Sequence, residues 1–290
     1  MSSPKTLLKA WGLRPRKSMG QNFLTRPAVA ASILDACRLT PEDSVLEIGS
    51  GLGALTVPLA RLVKHVYAVE PDRQVAQLLR NELLANGMTN VTIMETDILA
   101  CDLSSMAEPA ALPLKVVGNL PYHISSQVVV YLVNHRQFVS RAVLMFQKEL
   151  ARRLSANPGT KTYGRLSVLL SYCSHVTPLL DVDAESFYPR PGVDSAVVAI
   201  DFLSTIARPA ADESFLFTLV QAAFGKRRKM LKNALKGVSP GMSDDQLASA
   251  FVDARVAPSR RAETLSVEEF VSLSNALTSR RETNTLSDCG

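Results

Sequence analysis

The chain has 290 residues, 47% of them hydrophobic, which supplies a sizeable core and excludes a disordered chain. Its net charge of +5 is unevenly spread: residues 1–40 carry seven Lys/Arg against one acid and 205–240 seven against two, while 41–204 carry thirteen against sixteen and 241–290 five against eight. No apolar run is long enough to span a membrane, no secretory leader is visible, and Cys37, Cys101, Cys173 and Cys289 form no CxxC pair; this predicts a cytoplasmic protein with no metal site and no disulfide framework.

Helix and strand patterns alternate from residue 27 to 202. Helical spacing covers 27–39, followed by a strand at 44–49, a helix at 54–63 and a strand at 65–70. A helix at 72–87 ends at Gly87, and strands follow at 91–97 and 116–119. A helix then covers 125–135, the run 142–154 starts as a strand and turns into a helix, and 167–182 and 195–203 read as strands. Such alternation predicts an α/β fold, a doubly wound and mainly parallel sheet with helices on both faces. After Leu203 a polar, proline-containing connector leads into purely helical patterns. Ser243 with Gln246 and Ser266 with Glu269 read as capping boxes, stapled by Met242 with Leu247 and Leu265 with Phe270. We therefore expect two domains, 1–204 and 205–290, the second small and helical with a frayed polar tail.

In open sheets of this type ligands sit beyond the carboxyl ends of the strands, and four strand ends here carry acids or amides. The first strand runs into Gly49-Ser50-Gly51-Leu52-Gly53-Ala54, whose glycines allow a sharp turn and close approach of a ligand to the backbone. Glu47 lies within that strand and is placed to organise the loop. Glu70 closes the second strand, where a carboxylate can accept both ribose hydroxyls. Asp97 closes the third and can accept from an adenine amino group. Gly49, Gly51 and Ala54 also satisfy a dinucleotide fingerprint, so the loop alone leaves a nicotinamide or flavin enzyme open. The full set of strand ends suits S-adenosylmethionine, which has an adenosine and a sulfonium but no phosphate.

The fourth strand ends in Asn119-Leu120-Pro121-Tyr122. The exocyclic amine of adenine is a poor nucleophile because its lone pair is delocalised into the ring. Two acceptors that hold the nitrogen tetrahedral restore it. The Asn119 amide oxygen and the Leu120 carbonyl supply such a pair, Pro121 aims the carbonyl and removes a competing donor, and the Tyr122 ring can stack on the base. No general base is required, since the methylated ammonium sheds its proton readily. His123 therefore has no catalytic part.

The segments GQNFL (20–24), VLEIGSGLGALT (45–56), VYAVEPD (66–72), ETDIL (95–99), NLPYHIS (119–125) and FYPRPGVDSAVV (187–198) resemble, in order and spacing, the ribosomal RNA adenine N6,N6-dimethyltransferases. Within these the chain is most similar to the bacterial small-subunit group associated with kasugamycin sensitivity. The resemblance extends through the tail, at AAFGKRRKMLKNAL (222–235) and RAETLSVEEF (261–270), with Ser50 and His123 standing where Pro and Asn are common. It implies a Rossmann-like methyltransferase domain with S-adenosylmethionine as cofactor. It also implies that Asn22, Leu24, Gly49, Gly51, Glu70, Asp97 and Asn119 contact that cofactor, and that Tyr122 and Phe187 sandwich the target adenine.

The implied reaction is dimethylation of two adjacent adenosines in the 3′-terminal hairpin loop of 16S rRNA, within a precursor of the 30S subunit, by a monomer. The basic segments then serve RNA binding. Arg14, Arg16 and Lys17 precede the cofactor motif, and Arg228, Lys232 and Lys236, spaced i, i+4, i+8, are expected along one helix face with Leu231 and Leu235 packing inward. Two alternatives remain: a large-subunit adenine dimethyltransferase conferring macrolide resistance, and a non-catalytic assembly or transcription factor on the same fold.

Overall fold

The computed structural model describes residues 3–106, 113–226, 228–238 and 242–287, with side chains described as far as Arg281. The chain divides into two compact units, one of residues 1–152 with 174–204, the other of 153–173 with 205–290.

In chain order the elements of the first unit begin with α1 (Pro4–Ala10), β1 (Phe23–Leu24), α2 (Pro27–Ala36), β2 (Ser44–Ile48), α3 (Thr56–Ala60), β3 (His65–Val69), α4 (Arg73–Ala85) and β4 (Val91–Met94). They continue with β5 (Leu114–Asn119), α5 (Ser125–Asn134), β6 (Val139–Gln147) and α6 (Lys148–Leu154). After α7 (Arg165–Cys173), which belongs to the second unit, come β7 (Ser174–Val182), β8 (Phe187–Tyr188) and β9 (Ser195–Phe202). Seven strands form one sheet in the order β4-β3-β2-β5-β6-β9-β7. The first five run parallel, and β9 lies antiparallel between β6 and β7. From β2 the chain winds outward to β3 and β4, then returns to β5 on the other side of β2. This reversal is the switch point at which such sheets open a crevice.

The central strands are buried on both faces: Val45, Leu46, Val66, Ala68, Val117 and Val143 are all essentially inaccessible. That is why they read as continuous apolar runs without alternation. Each of these valine and leucine side chains contributes about 1.5–3 kcal/mol on burial. At Gly118 an added Cβ would stand 2.6 Å from the Ile48 carbonyl, so only glycine lets β5 approach β2 this closely.

Two readings of the sequence need correction. Residues 167–173, expected as strand, are the body of helix α7; six of its nine residues are buried, and a run apolar on nearly all sides carries no period that separates helix from strand. Residues 153–173, assigned to the α/β domain, group with the helical unit. There Tyr163 is fully buried and its hydroxyl donates to the Leu265 carbonyl at 3.0 Å, while the Tyr172 hydroxyl accepts from Ala210 N at 3.1 Å.

The second unit adds α8 (Glu213–Gly225), α9 (Leu231–Ala234), α10 (Asp244–Asp253) and α11 (Val267–Ser287) to α7. Both capping boxes form: Ser243 Oγ accepts from Gln246 N, Ser266 Oγ accepts from Glu269 N, and each reciprocal side-chain bond is made. Each cap stabilises its helix by about 1 kcal/mol. The backbone of α11 is helical as far as Ser287, beyond the point where the polar composition predicts fraying; its first turns are anchored by the buried Phe270, Leu273 and Leu277. The end of that tail, residues 288–290, lies outside the described residues.

Candidate active site

A cavity of about 640 Å³ opens at the switch point. Its wall includes Asn22, Leu24, Gly49, Gly51, Glu70, Asn119, Leu120, Pro121 and Tyr122, so nine of the sequence-derived site residues meet in one place. They arrive from four elements, because β1, β2, β3 and β5 all end here.

Gly49 and Gly51 adopt φ of +73° and +54°, the left-handed region that glycine enters without strain. At Gly49 a Cβ would stand 3.3 Å from the Asn119 carbonyl, so the loop after β2 and the turn after β5 share one narrow wall. Glu70 ties the loop down: its Oε2 accepts from Gly51 N and its Oε1 from Asp72 N, both at 3.0 Å. Each oxygen keeps a second lone pair for a ligand hydroxyl. Burial pushes the Glu70 carboxyl up to about 7 against these two bonds, with the Asp72 charge adding to the rise.

Glu47 is more extreme. It is fully buried, lines the same cavity, and its Oε2 has no hydrogen-bond partner among the described residues. Burial pushes its carboxyl up to about 8; the nearby Thr56 hydroxyl pulls the other way but falls short of hydrogen-bond geometry, and the Glu70 charge adds to the rise. A buried acceptor left orphaned on a cavity wall is costly unless a ligand completes it. With two buried carboxyls and a glycine loop lining it, the wall suits a cationic, hydroxyl-bearing ligand.

The Asn119 side chain donates through Nδ2 to the Asn22 carbonyl at 2.8 Å. A carbonyl can only accept, so the amide orientation is fixed and Oδ1 is left as an acceptor. The Leu120 carbonyl likewise carries no hydrogen bond among the described residues, whereas the Pro121 carbonyl is taken by Ile124 N and Ser125 Oγ. Two acceptors of consecutive residues are thus left without a hydrogen bond among the described residues. The half-buried Tyr122 ring follows, with its hydroxyl 2.8 Å from Ser195 Oγ. Burial pushes the phenol above its usual range although the Ser195 bond pulls the other way, so it stays protonated.

Other expected site residues lie off the cavity wall. Asp97 is exposed at the end of β4, where its Oδ1 accepts from Leu99 N. Phe187 pairs with Leu24 in the small β1–β8 ladder and is buried in the core. Arg16 is pinned at 3.4 Å to Asp72, which also caps α4 and accepts from Gln21. Arg14 and Lys17 are exposed.

The expected basic helix face does not exist as drawn. The chain leaves helix after Gly225 and α9 begins only at Leu231, so Arg228 sits in a turn and the three cations share no continuous helix. Leu231 and Leu235 are buried as expected, and Lys236 pairs with Asp244 at 3.1 Å.

The N-terminal contribution is larger than the motifs suggest. Ser3, Pro4, Leu7, Met19, Gly20 and Gln21 also line the cavity. Ser3 caps α1 by accepting from Thr6 N, with Pro4 at the first helical position, a start signal readable in Ser-Pro. Gly20, at φ +63°, would bring a Cβ within 3.0 Å of His123 Nδ1, so His123 packs against the GQNFL segment.

A parallel doubly wound sheet, a glycine loop with two buried carboxyls at its switch point, and an Asn-Leu-Pro-Tyr turn with these two acceptors define an S-adenosylmethionine-dependent methyltransferase of the amine-modifying kind. The profile of the ribosomal RNA adenine dimethylase family matches residues 12–279, and the chain belongs to that family. It is similar to the "Ribosomal RNA small subunit methyltransferase A" of Desulforapulum autotrophicum, 46% identical over 96% of this chain and 97% of that protein. The protein of the same description from Geobacter metallireducens is 42% identical over 93% and 98%. Among solved structures, a dimethyladenosine transferase from Plasmodium falciparum superposes with a TM-score of 0.71 at 27% identity, over 87% of this chain and 95% of that one. The 23S rRNA methyltransferase ErmE superposes at 0.64 and 26% identity, over 89% and 100%.

Proposed function

We propose that the protein dimethylates the N6 amines of two adjacent adenosines in the 3′-terminal hairpin loop of 16S rRNA, acting as a monomer in the cytoplasm on a late precursor of the small subunit. The observation that carries this reading is the anchored Asn119: its donor end is consumed by Asn22, which leaves its oxygen as an acceptor on the wall that Leu120 also lines. When bound, S-adenosylmethionine supplies an electrophilic methyl that passes to N6 as the carbon–sulfur bond breaks and its electron pair stays on sulfur.

The chain's own part is positioning. Asn119 Oδ1 and the Leu120 carbonyl accept hydrogen bonds from the two amine N–H groups and draw the lone pair out of the ring plane. Tyr122 supports the base from one side, with Phe187 proposed for the other. Glu70 receives the ribose hydroxyls, and Asn22, Leu24, Gly49 and Gly51 bound the methionine portion. Asp97 accepts from the adenine amino group of the cofactor, its Oδ1 also accepting from Leu99 N. Arg14, Arg16, Lys17, Arg228, Lys232 and Lys236 hold the RNA backbone. The ammonium formed on N6 loses its proton to water, so no side-chain base is needed.

Tritiated S-adenosylmethionine offered to 30S particles lacking the two modifications should label small-subunit RNA at two neighbouring adenosines. Label confined to 50S particles would overturn the substrate assignment.

A further inference from the structure

We propose that Ser195 is the positioning residue for the base-stacking ring, and that its bond to Tyr122 is what allows a second methyl to follow the first. The proposal rests on the reading of Tyr122 as the plate under the target adenine.

Tyr122 stands in a turn, and two side-chain torsions set where its ring lies. Its hydroxyl is held 2.8 Å from Ser195 Oγ. Ser195 is fully buried and opens β9, where it pairs with Gln147 of β6 on one side and Val182 of β7 on the other. The corner before it is fixed as well: the Asp194 carbonyl accepts from Lys148 N and its Oδ1 from Ala184 N, each at 3.0 Å. The ring is therefore tethered at its far end to a buried corner of the sheet that is paired on both sides. The tether lies at the ring edge, on the hydroxyl and not on a π face.

The two transfers demand different things of the site. An unmodified amine offers two N–H groups to Asn119 Oδ1 and the Leu120 carbonyl. After the first transfer only one N–H remains, so one of these contacts is lost and the base is held more by stacking. A loosened ring therefore harms the second transfer more than the first.

The test is a mass-spectrometric ratio of mono- to dimethyladenosine on unmodified 30S particles, with cofactor affinity measured alongside. Ser195→Ala should raise the ratio roughly three- to tenfold, the span expected for losing one hydrogen bond, with cofactor affinity unchanged. Ser195→Thr, which keeps the hydroxyl, should restore the wild-type ratio. Tyr122→Phe and the double variant Ser195→Ala/Tyr122→Phe should match Ser195→Ala, because all three remove the same bond. A wild-type ratio in Ser195→Ala, or additive effects in the double variant, would overturn the proposal. Undiminished transfer by Tyr122→Ala would instead overturn the stacking role itself.

Discussion

Asn119 Nδ2 and the Asn22 carbonyl, 97 positions apart in the chain, meet at 2.8 Å and join the Asn-Leu-Pro-Tyr turn to the N-terminal GQNFL segment. Because the partner is a carbonyl, one bond sets both the orientation of the amide and the availability of its oxygen. Asn119→Ala removes the acceptor and the tie together. Single-turnover methylation should fall about 10²–10³-fold, the scale for deleting one preorganised polar group at a reacting centre, and cofactor binding should weaken. Retained turnover would remove Asn119 from the mechanism.

Gly118 fixes how closely β5 approaches β2. Gly118→Ala sets a Cβ against the Ile48 carbonyl, which cannot swing away. We expect a loss of about 1–3 kcal/mol, read as a fall in Tm, with weaker cofactor binding because Glu47 and Asn119 ride on these two strands. Gly225→Ala, with nothing near the added Cβ, serves as the contrast and should be neutral or stabilising by up to about 1 kcal/mol.

Glu47 and Glu70 give the protein a pH signature. Their folded-state values of about 8 and about 7 stand above the reference of 4.5. Between these limits the folded chain holds protons that the unfolded chain has released, so the linked stability is complete below the reference value and is lost as pH rises through 7 and 8. Tm of the cofactor-free protein should fall across that window, and Glu47→Gln should flatten the fall. An unaltered slope in Glu47→Gln would mean that Glu47 is already ionised in the folded chain. Affinity for the cationic cofactor should move the opposite way, rising as the carboxyls ionise.

Arg228 and Lys232 are exposed cations of the helical unit. Replacing both by Glu should weaken binding to the small subunit and lower the salt dependence by about one to two logarithmic units of slope, while cofactor affinity stays constant. Lys236→Gln should cost less than Lys232→Gln, since Lys236 is already engaged by Asp244. Unchanged subunit binding at physiological salt would remove these cations from the interface.

The strand ends were the most legible part of this chain. Central parallel strands are buried on both faces, so they appear as short apolar runs, and the residues that end the β3 and β5 runs line the crevice, although Asp97 after β4 does not. Glu70 and Asn119 could be assigned to the site for that reason. The same uniform burial hid α7, whose apolar residues also wrap most of the helix. The basic run 226–236 failed differently. Its spacing fits a helix, but Gly225 ends α8 and Met230 takes an extended conformation before α9, so the regular charge pattern does not become a regular surface. The involvement of residues 3–21 in the cavity depends on tertiary contacts such as Arg16 with Asp72, which no local pattern encodes.

Strand β9 is the last of the sheet in sequence yet lies between β6 and β7. During synthesis both neighbours wait with open edges until residues 195–202 emerge, and only then can the sheet be zipped. Every residue lining the cofactor cavity, by contrast, has been made by Tyr122. A nascent chain therefore contains the residues of its cofactor wall well before it contains the strand that steadies Tyr122.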